Sequence, residues 1–327
     1  MTFKPRTLSV APMIDWTDRH CRRFHRAITQ HTWLYTEMIT TGALVFGDRK
    51  RFLAFHEKEH PVAFQIGGSD PAHLAACAKW IEEAGYDELN LNVGCPSERV
   101  QKGAFGACLM AEPDLVADCV KAMRDACSLD VTVKHRIGLD YDESEGMLYE
   151  FVGKVSEAGC ETFIVHARNA VLKGLSPKEN RDIPPLRYEV VKSLKQHFPH
   201  LQFILNGGIK TIEEIQGHLQ WVDGCMIGRE AYSNPWLLAG FDEVIGKKPA
   251  PVKTRFEIID ELHAYANQEL ARGESIRNIT KSWLGLFHGQ PGGRLYRQVL
   301  SDSALLKANN WQVVEDALAK MAKHAPV

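Results

Sequence analysis

From Leu8 to Arg229 the chain alternates between two hydrophobic rhythms. Short apolar or alternating runs, bounded by Gly, Pro, Asn or Asp, read as strands; the stretches between them carry apolar residues at three- and four-residue spacing and read as helices. Strands are predicted at residues 8–13, 34–38, 62–66, 87–93, 131–135, 162–167, 202–206 and 222–229. The clearest alternation is in D-E-L-N-L-N-V-G-C-P-S at 87–97, where Leu89, Leu91 and Val93 oppose Asn90 and Asn92 before Gly94 and Pro96 end the run. Helices are predicted after Asp15, Thr17 and Asp18, which can cap one, at 71–84 with Leu74, Ala75, Ala78 and Ile81 on one face, from Pro113 to Ala126, and at 149–158, 188–197 and 211–219.

Eight strands, each followed by a helical segment, over roughly 240 residues give the length and rhythm of an α/β fold of the (β/α)8 TIM-barrel type. A doubly wound sheet needs fewer strands and shows its glycine loop after the first one. Beyond Gly240 the strand rhythm stops. G-K-K-P-A-P at 246–251 reads as a linker, and from Arg255 only helical spacing remains, with Phe256, Ile259, Leu262, Ala266 and Leu270 on one face and Val313, Val314, Leu318 and Met321 on another. The expected organisation is a catalytic barrel at 1–244 and a small all-helical domain at 245–327, interrupted by Q-P-G-G before R-L-Y-R at 294–297.

Composition narrows the setting. With 45% hydrophobic and 24% charged residues and a net charge of -2, the chain is an ordinary globular one, and a polyanionic partner would need a local basic patch. The eight cysteines, at 21, 77, 95, 108, 119, 127, 160 and 225, stand singly with no C-x-x-C pair, so neither a metal site nor a disulfide framework is indicated. No apolar stretch reaches the length of a membrane span and the N-terminus lacks a signal-peptide core. The expected location is the cytoplasm, with no membrane association and no obligate protein partner.

In such a barrel, ligand chemistry gathers where strands finish. Those positions are Pro12 and Met13, Gln65, Asn90 and Asn92 with Cys95, Lys134, His166, Asn206-Gly207-Gly208 and Gly228-Arg229. The glycines let backbone N–H groups approach a phosphate and Arg229 offers two donors to it. Lys134 suits an electron-rich ring, and Gln65 supplies an amide that can read a uracil-like edge. Such a set describes a flavin mononucleotide site; it equally describes a sugar-phosphate aldolase in which Lys134 forms a Schiff base. Cys95, exposed on a strand-to-loop junction, favours flavin chemistry, which needs an acid opposite the hydride donor.

Taken together, A-P-M at 11–13, Q-I-G-G at 65–68, L-N-V-G-C-P-S at 91–97, V-K-H-R at 133–136, V-H-A-R at 165–168, N-G-G-I at 206–209 and I-G-R at 227–229 resemble the tRNA-dihydrouridine synthases. G-A-F-G-A-C-L-M at 103–110 and K-E-N-R-D-I-P-P-L-R-Y at 178–188 resemble the A-type bacterial branch, which acts on uridines 20 and 20a of the D-loop. The resemblance implies that FMN is contacted by Pro12, Met13, Gln65, Lys134 and His166, with its phosphate on Asn206, Gly207, Gly208, Gly228 and Arg229. It implies NADPH as reductant, hydride transfer to C6 of uracil, and a proton to C5 from Cys95, an oxidoreductase acting on a CH–CH bond. Asn92 would orient the base. Arg99, Arg181, Arg294 and Arg297 are candidates for tRNA backbone contacts. Two other readings compete: an FMN barrel reducing a small molecule in the manner of dihydroorotate dehydrogenase, and an RNA-binding protein without catalysis.

Overall fold

The computed structural model describes residues 6–142, 144–246 and 253–323, the side chains of Arg99 and Lys102 excepted. Nine strands form one sheet: β1 (Leu8–Val10), β2 (Trp33–Tyr35), β3 (Ile39–Thr40), β4 (Val62–Gly67), β5 (Glu88–Val93), β6 (Asp130–Arg136), β7 (Thr162–His166), β8 (Gln202–Asn206) and β9 (Gly224–Ile227). All pairings are parallel, β2 pairs with both β1 and β4, and β9 returns to β1, so eight strands close a barrel. The two-residue β3 is an addition to β4, pairing Ile39 with Ile66 and Thr40 with Gly67. The predicted strand at 34–38 therefore stops at Tyr35 and a strand resumes four residues later at Ile39, with the Thr36 hydroxyl between them accepting from the Gln65 amide at 2.9 Å.

Helices cover the barrel as their patterns require. Pro71–Glu83 starts on Asp70, whose carboxylate accepts from the His73 amide at 2.8 Å, has proline in its first turn, and buries Leu74, Cys77, Ala78 and Ile81. Pro113–Ala126 buries Val116, Cys119, Val120 and Met123. Full burial of each larger apolar side chain stabilises by about 1.5–3 kcal/mol.

Side chains alternate along each strand, so the barrel interior can differ from one strand to the next. Trp33, Tyr35, Ala63, Ile164, Ile204 and Met226 pack one apolar cluster. β5 contributes Glu88, Asn90 and Asn92, in register with Asp130, Thr132 and Lys134 of β6. At the closed end, where these strands begin, the buried Arg6 guanidinium binds Glu88, donates to Asp130 at 2.8 Å and lies over the Trp33 ring.

The chain resolves into two compact units, residues 1–14 with 33–228, and residues 15–32 with 229–327. The sequence reading divides the chain at 244/245 and assigns the helix after the first strand to the barrel. That helix, Arg19–Ile28, is capped by Asp18 as expected but belongs to the second unit, where Phe24 and Ala27 join a core with Ile259, Leu262, Ile279 and Trp283. Arg22, Arg23 and Arg26 on it are buried: Arg22 donates to the Thr17 carbonyl at 2.8 Å and Arg26 to the Thr29 and Thr32 carbonyls at 3.0 and 2.6 Å. On the helix Arg255–Ala271, Ile259, Leu262 and Ala266 are buried as predicted, while Phe256 in the first turn is exposed. Of the predicted linker, residues 247–251 lie outside the described part.

Candidate active site

The strand ends meet in register. Asn92 stands beside Lys134, Arg136 beside His166, and His166 beside Asn206. Lys134 Nζ donates to Asn206 Oδ1 at 3.0 Å, and Asn206 Nδ2 donates to the Met226 carbonyl at 2.8 Å, which fixes the amide. The His166 ring abuts Gly207, where a Cβ would fall 2.8 Å from its Cδ2; Gly207 and Gly208 both have positive φ. Among the described residues no carboxylate pairs with Lys134. Burial first, and then the Arg136 guanidinium, pull its ammonium down to about 7. A cation in that state favours an electron-rich partner.

Cys95 lies on the loop after β5, half-buried, and its backbone is tied at every polar group around it. Asn92 Oδ1 accepts from the amides of Gly94 and Cys95 at 3.2 and 3.0 Å. The Cys95 carbonyl accepts from the Ala107 amide at 2.9 Å, an approach that requires glycine at 106: a Cβ there would lie 2.7 Å from that carbonyl oxygen, and its φ is +79°. Gln101 Nε2 donates to the Pro96 carbonyl at 2.8 Å and to the Leu172 carbonyl at 2.9 Å, bridging this loop to the one after β7. Ser97 Oγ lies 3.6 Å from the thiol and caps the helix Glu98–Lys102.

Arg136, two residues past Lys134 and hence on the same face of β6, completes the bridge. Its Nε donates to the Gly94 carbonyl at 3.2 Å and its Nη1 to the carbonyls of Asn169 and Asn180 at 3.3 and 2.9 Å. Asn180 is itself buried, exchanging hydrogen bonds with Val171. Arg168 and Arg181 stand close enough to repel Arg136. A half-buried thiol, several buried side-chain amides and a cluster of positive charge therefore share one end of the barrel.

Of the residues predicted from sequence, Cys95, Asn92, Gln65, Lys134, His166 and Asn206 are joined by direct hydrogen bonds or strand register. Pro12 and Met13 follow β1 and Gly228 follows β9, its paired neighbour, at the same end. Gln65 and Asn92 are more deeply engaged than expected: Asn92 Nδ2 donates to Gln65 Oε1 at 2.9 Å and Gln65 Nε2 to Asn90 Oδ1 at 2.7 Å. Arg181 ends a short helical turn, exposed. Arg229 opens the helix Arg229–Ser233 of the second unit, and Arg294 and Arg297 are exposed on its helix Gly293–Ser301, opposite the buried Tyr296, Val299 and Leu300. The Arg99 side chain lies outside the described part. Sequence reasoning gave no role to Arg136 or Gln101; the period-two spacing from Lys134 was the available signal for the first.

A closed parallel barrel whose functional groups gather at the strand C-terminal ends has the architecture of a barrel enzyme. A family model described as dihydrouridine synthase matches residues 9–323, and the chain belongs to that family. It is 56% identical over 321 residues to a Vibrio parahaemolyticus protein, covering 98% of both chains, and 57% identical over 317 residues to one from Pseudomonas aeruginosa, covering 97% of this chain and 96% of that one. A Pasteurella multocida protein is 54% identical over 314 residues, covering 96% of both. Each of the three is named tRNA-dihydrouridine(20/20a) synthase.

Proposed function

We propose that this chain is a flavin-dependent reductase of tRNA, converting uridines 20 and 20a of the D-loop to dihydrouridine in the cytoplasm with NADPH as electron source. The observation that carries the reading is the half-buried Cys95 thiol, held on a backbone bound from Gly94 to Pro96, beside a lysine that no described carboxylate neutralises. That arrangement fits FMN. Lys134 offers ammonium donors to the electron-rich edge of the ring, Gln65 an amide, and His166 a ring nitrogen. Pro12 and Met13 back the ring. Asn206, Gly207, Gly208 and Gly228 suit the phosphate, with Arg229, next in the chain, pairing with it.

FMN, when bound and reduced, supplies a hydride for C6 of the uracil. Cys95 holds the proton for C5, and the electron pair of the S–H bond stays on sulfur when that proton leaves. The guanidinium of Arg136 donates to the Gly94 carbonyl, one residue before the thiol. Asn92, anchored to the same loop, orients the base. A uridine of folded tRNA must leave its stack to arrive there, and Arg99, Arg181, Arg294 and Arg297 are the proposed backbone contacts that offset the work of extrusion. The purified protein should be yellow, bleach with NADPH and regain colour when unmodified tRNA is added. Colour that does not return on adding tRNA overturns the reading.

A further inference from the structure

An uninterrupted series of hydrogen bonds runs along the barrel axis from the closed end to the cysteine loop. Arg6 holds Glu88; Thr132 Oγ1 donates to Glu88 Oε1 at 2.6 Å; Asn90 Nδ2 donates to Thr132 Oγ1 at 2.8 Å. Gln65 Nε2 donates to Asn90 Oδ1 at 2.7 Å, Asn92 Nδ2 to Gln65 Oε1 at 2.9 Å, and the backbone amide of Cys95 to Asn92 Oδ1 at 3.0 Å. Every link is buried except the last, which ends on the backbone amide of the half-buried Cys95.

The direction of the series follows from its ends. A carboxylate ion-paired with arginine can only accept, so Thr132 must spend its single hydrogen on Glu88 and can only accept from Asn90. Asn90 must then use its nitrogen there and its oxygen toward Gln65, and the same logic passes to Gln65 and Asn92. At the far end a backbone N–H can only donate, which the Asn92 oxygen satisfies. Turning any one amide over would set donor against donor on one side and acceptor against acceptor on the other. Asn92, whose oxygen already serves Gly94 and Cys95, is left with one N–H to offer, so it can recognise only an acceptor such as a ring carbonyl.

We infer that the Arg6–Glu88 pair is a remote positioning device: through Thr132, Asn90 and Gln65 it dictates which atoms Gln65 and Asn92 present to the ligand and where the Cys95 loop rests. Thr132 is the link to break, since valine keeps its shape and removes the hydroxyl, while serine keeps the hydroxyl. This rests on the reading of Cys95 and Gln65 given above, and the test separates the two.

The holoenzyme of Thr132→Val, Thr132→Ser and Tyr35→Phe is compared with the parent. Tyr35 donates to the same Glu88 oxygen at 2.7 Å but is not a link, so Tyr35→Phe controls for lost stability. Hydrogen exchange of the peptide containing the Cys95 amide is read by mass spectrometry, alongside the visible spectrum of the bound flavin and steady-state kinetics with tRNA. Thr132→Val should exchange about tenfold faster at Cys95, shift the flavin spectrum and lose about tenfold in kcat with KM for tRNA little changed, the scale of one broken buried hydrogen bond. Thr132→Ser and Tyr35→Phe should match the parent in all three. Parental exchange in Thr132→Val, or Tyr35→Phe reproducing its effects, overturns the inference. Should Thr132→Val not fold, Glu88→Gln replaces it, with the same expectation and the same overturning result. Exchange at Cys95 needs neither tRNA nor turnover, so an altered rate in a protein that fails to reduce tRNA would keep the relay and defeat the reductase reading.

Discussion

Arg6 and Arg136 sit at opposite ends of one barrel, 2% and 3% exposed, and their surroundings diverge. Burial pulls both guanidinium groups down. At the closed end the Glu88 carboxylate, with Tyr35 and Asp130, more than reverses that pull, and Arg6 is held above its ordinary value. At the mouth the same burial is joined by repulsion from Arg168 and Arg181 and opposed only by Cys95, so Arg136 falls to about 10. Among the described residues its hydrogen bonds go to the carbonyl oxygens of Gly94, Asn169 and Asn180. A cation paired with a carboxylate serves the fold; one supplied with carbonyls alone keeps its charge available to chemistry beside it.

The largest expected effect is at the mouth. Cys95→Ala should keep its flavin and its melting temperature but lose about 10²- to 10⁴-fold in reoxidation by tRNA, the usual weight of a general acid; full turnover would remove the donor role. At the closed end the damage should fall on stability. Glu88→Ala leaves a buried guanidinium without its carboxylate and should lower the unfolding free energy in urea by about 3–5 kcal/mol. A loss within experimental error would place Arg6 and Arg136 in equivalent settings after all. Arg136→Met should show the opposite balance, with stability down by about 1–3 kcal/mol and turnover with tRNA down more than the melting curve implies. Arg136→Lys should restore part of the turnover by returning the charge. Equal recovery with a neutral side chain such as glutamine would assign Arg136 to packing alone.

The smallest effect concerns His135, on the opposite face of β6 from Lys134 and Arg136. Its Nδ1 donates to the Arg136 carbonyl at 2.6 Å, its ring packs against Phe151 and Phe163, and Nε2 is buried without a described partner. Burial holds it down to about 4, and His25 in the second unit down to about 3. Both are therefore neutral in the folded chain where the unfolded chain already takes up protons. Their contribution is complete above about pH 6.5 and is lost as pH falls toward the folded values, at about 1.4 kcal/mol per pH unit for each histidine. Urea midpoints between pH 7 and 4.5 should show that decline, and His135→Leu should make it shallower; an unchanged slope would show that His135 does not titrate on unfolding.

The strand-end residues were legible in the sequence because a strand side chain's facing follows from a period of two. Gln65, Asn92, Lys134, His166 and Asn206 could be placed at one end of one barrel by counting. Their partners could not, since Gln65 and Asn92 meet across two neighbouring strands, and assigning Asn92 to the base did not include the hold its amide has on the cysteine loop. Arg136 was visible in V-K-H-R but received no role, because the three carbonyls that converge on it come from two loops distant in the chain. The helix Arg19–Ile28 was recognised as a helix and credited to the barrel, because an apolar stripe such as Phe24 and Ala27 tells that a core is needed and not which one.

That helix also sets an order of events. The ribosome delivers residues 15–32 while the chain from Arg229 onward, which supplies the remaining walls of the same core, is still untranslated. Phe24 and Ala27 emerge early with nothing to lie against. A nascent chain halted before residue 229 would carry that unclad surface, making it a foothold for chaperones and proteases, and a shortened gene product ending there would inherit the same handicap.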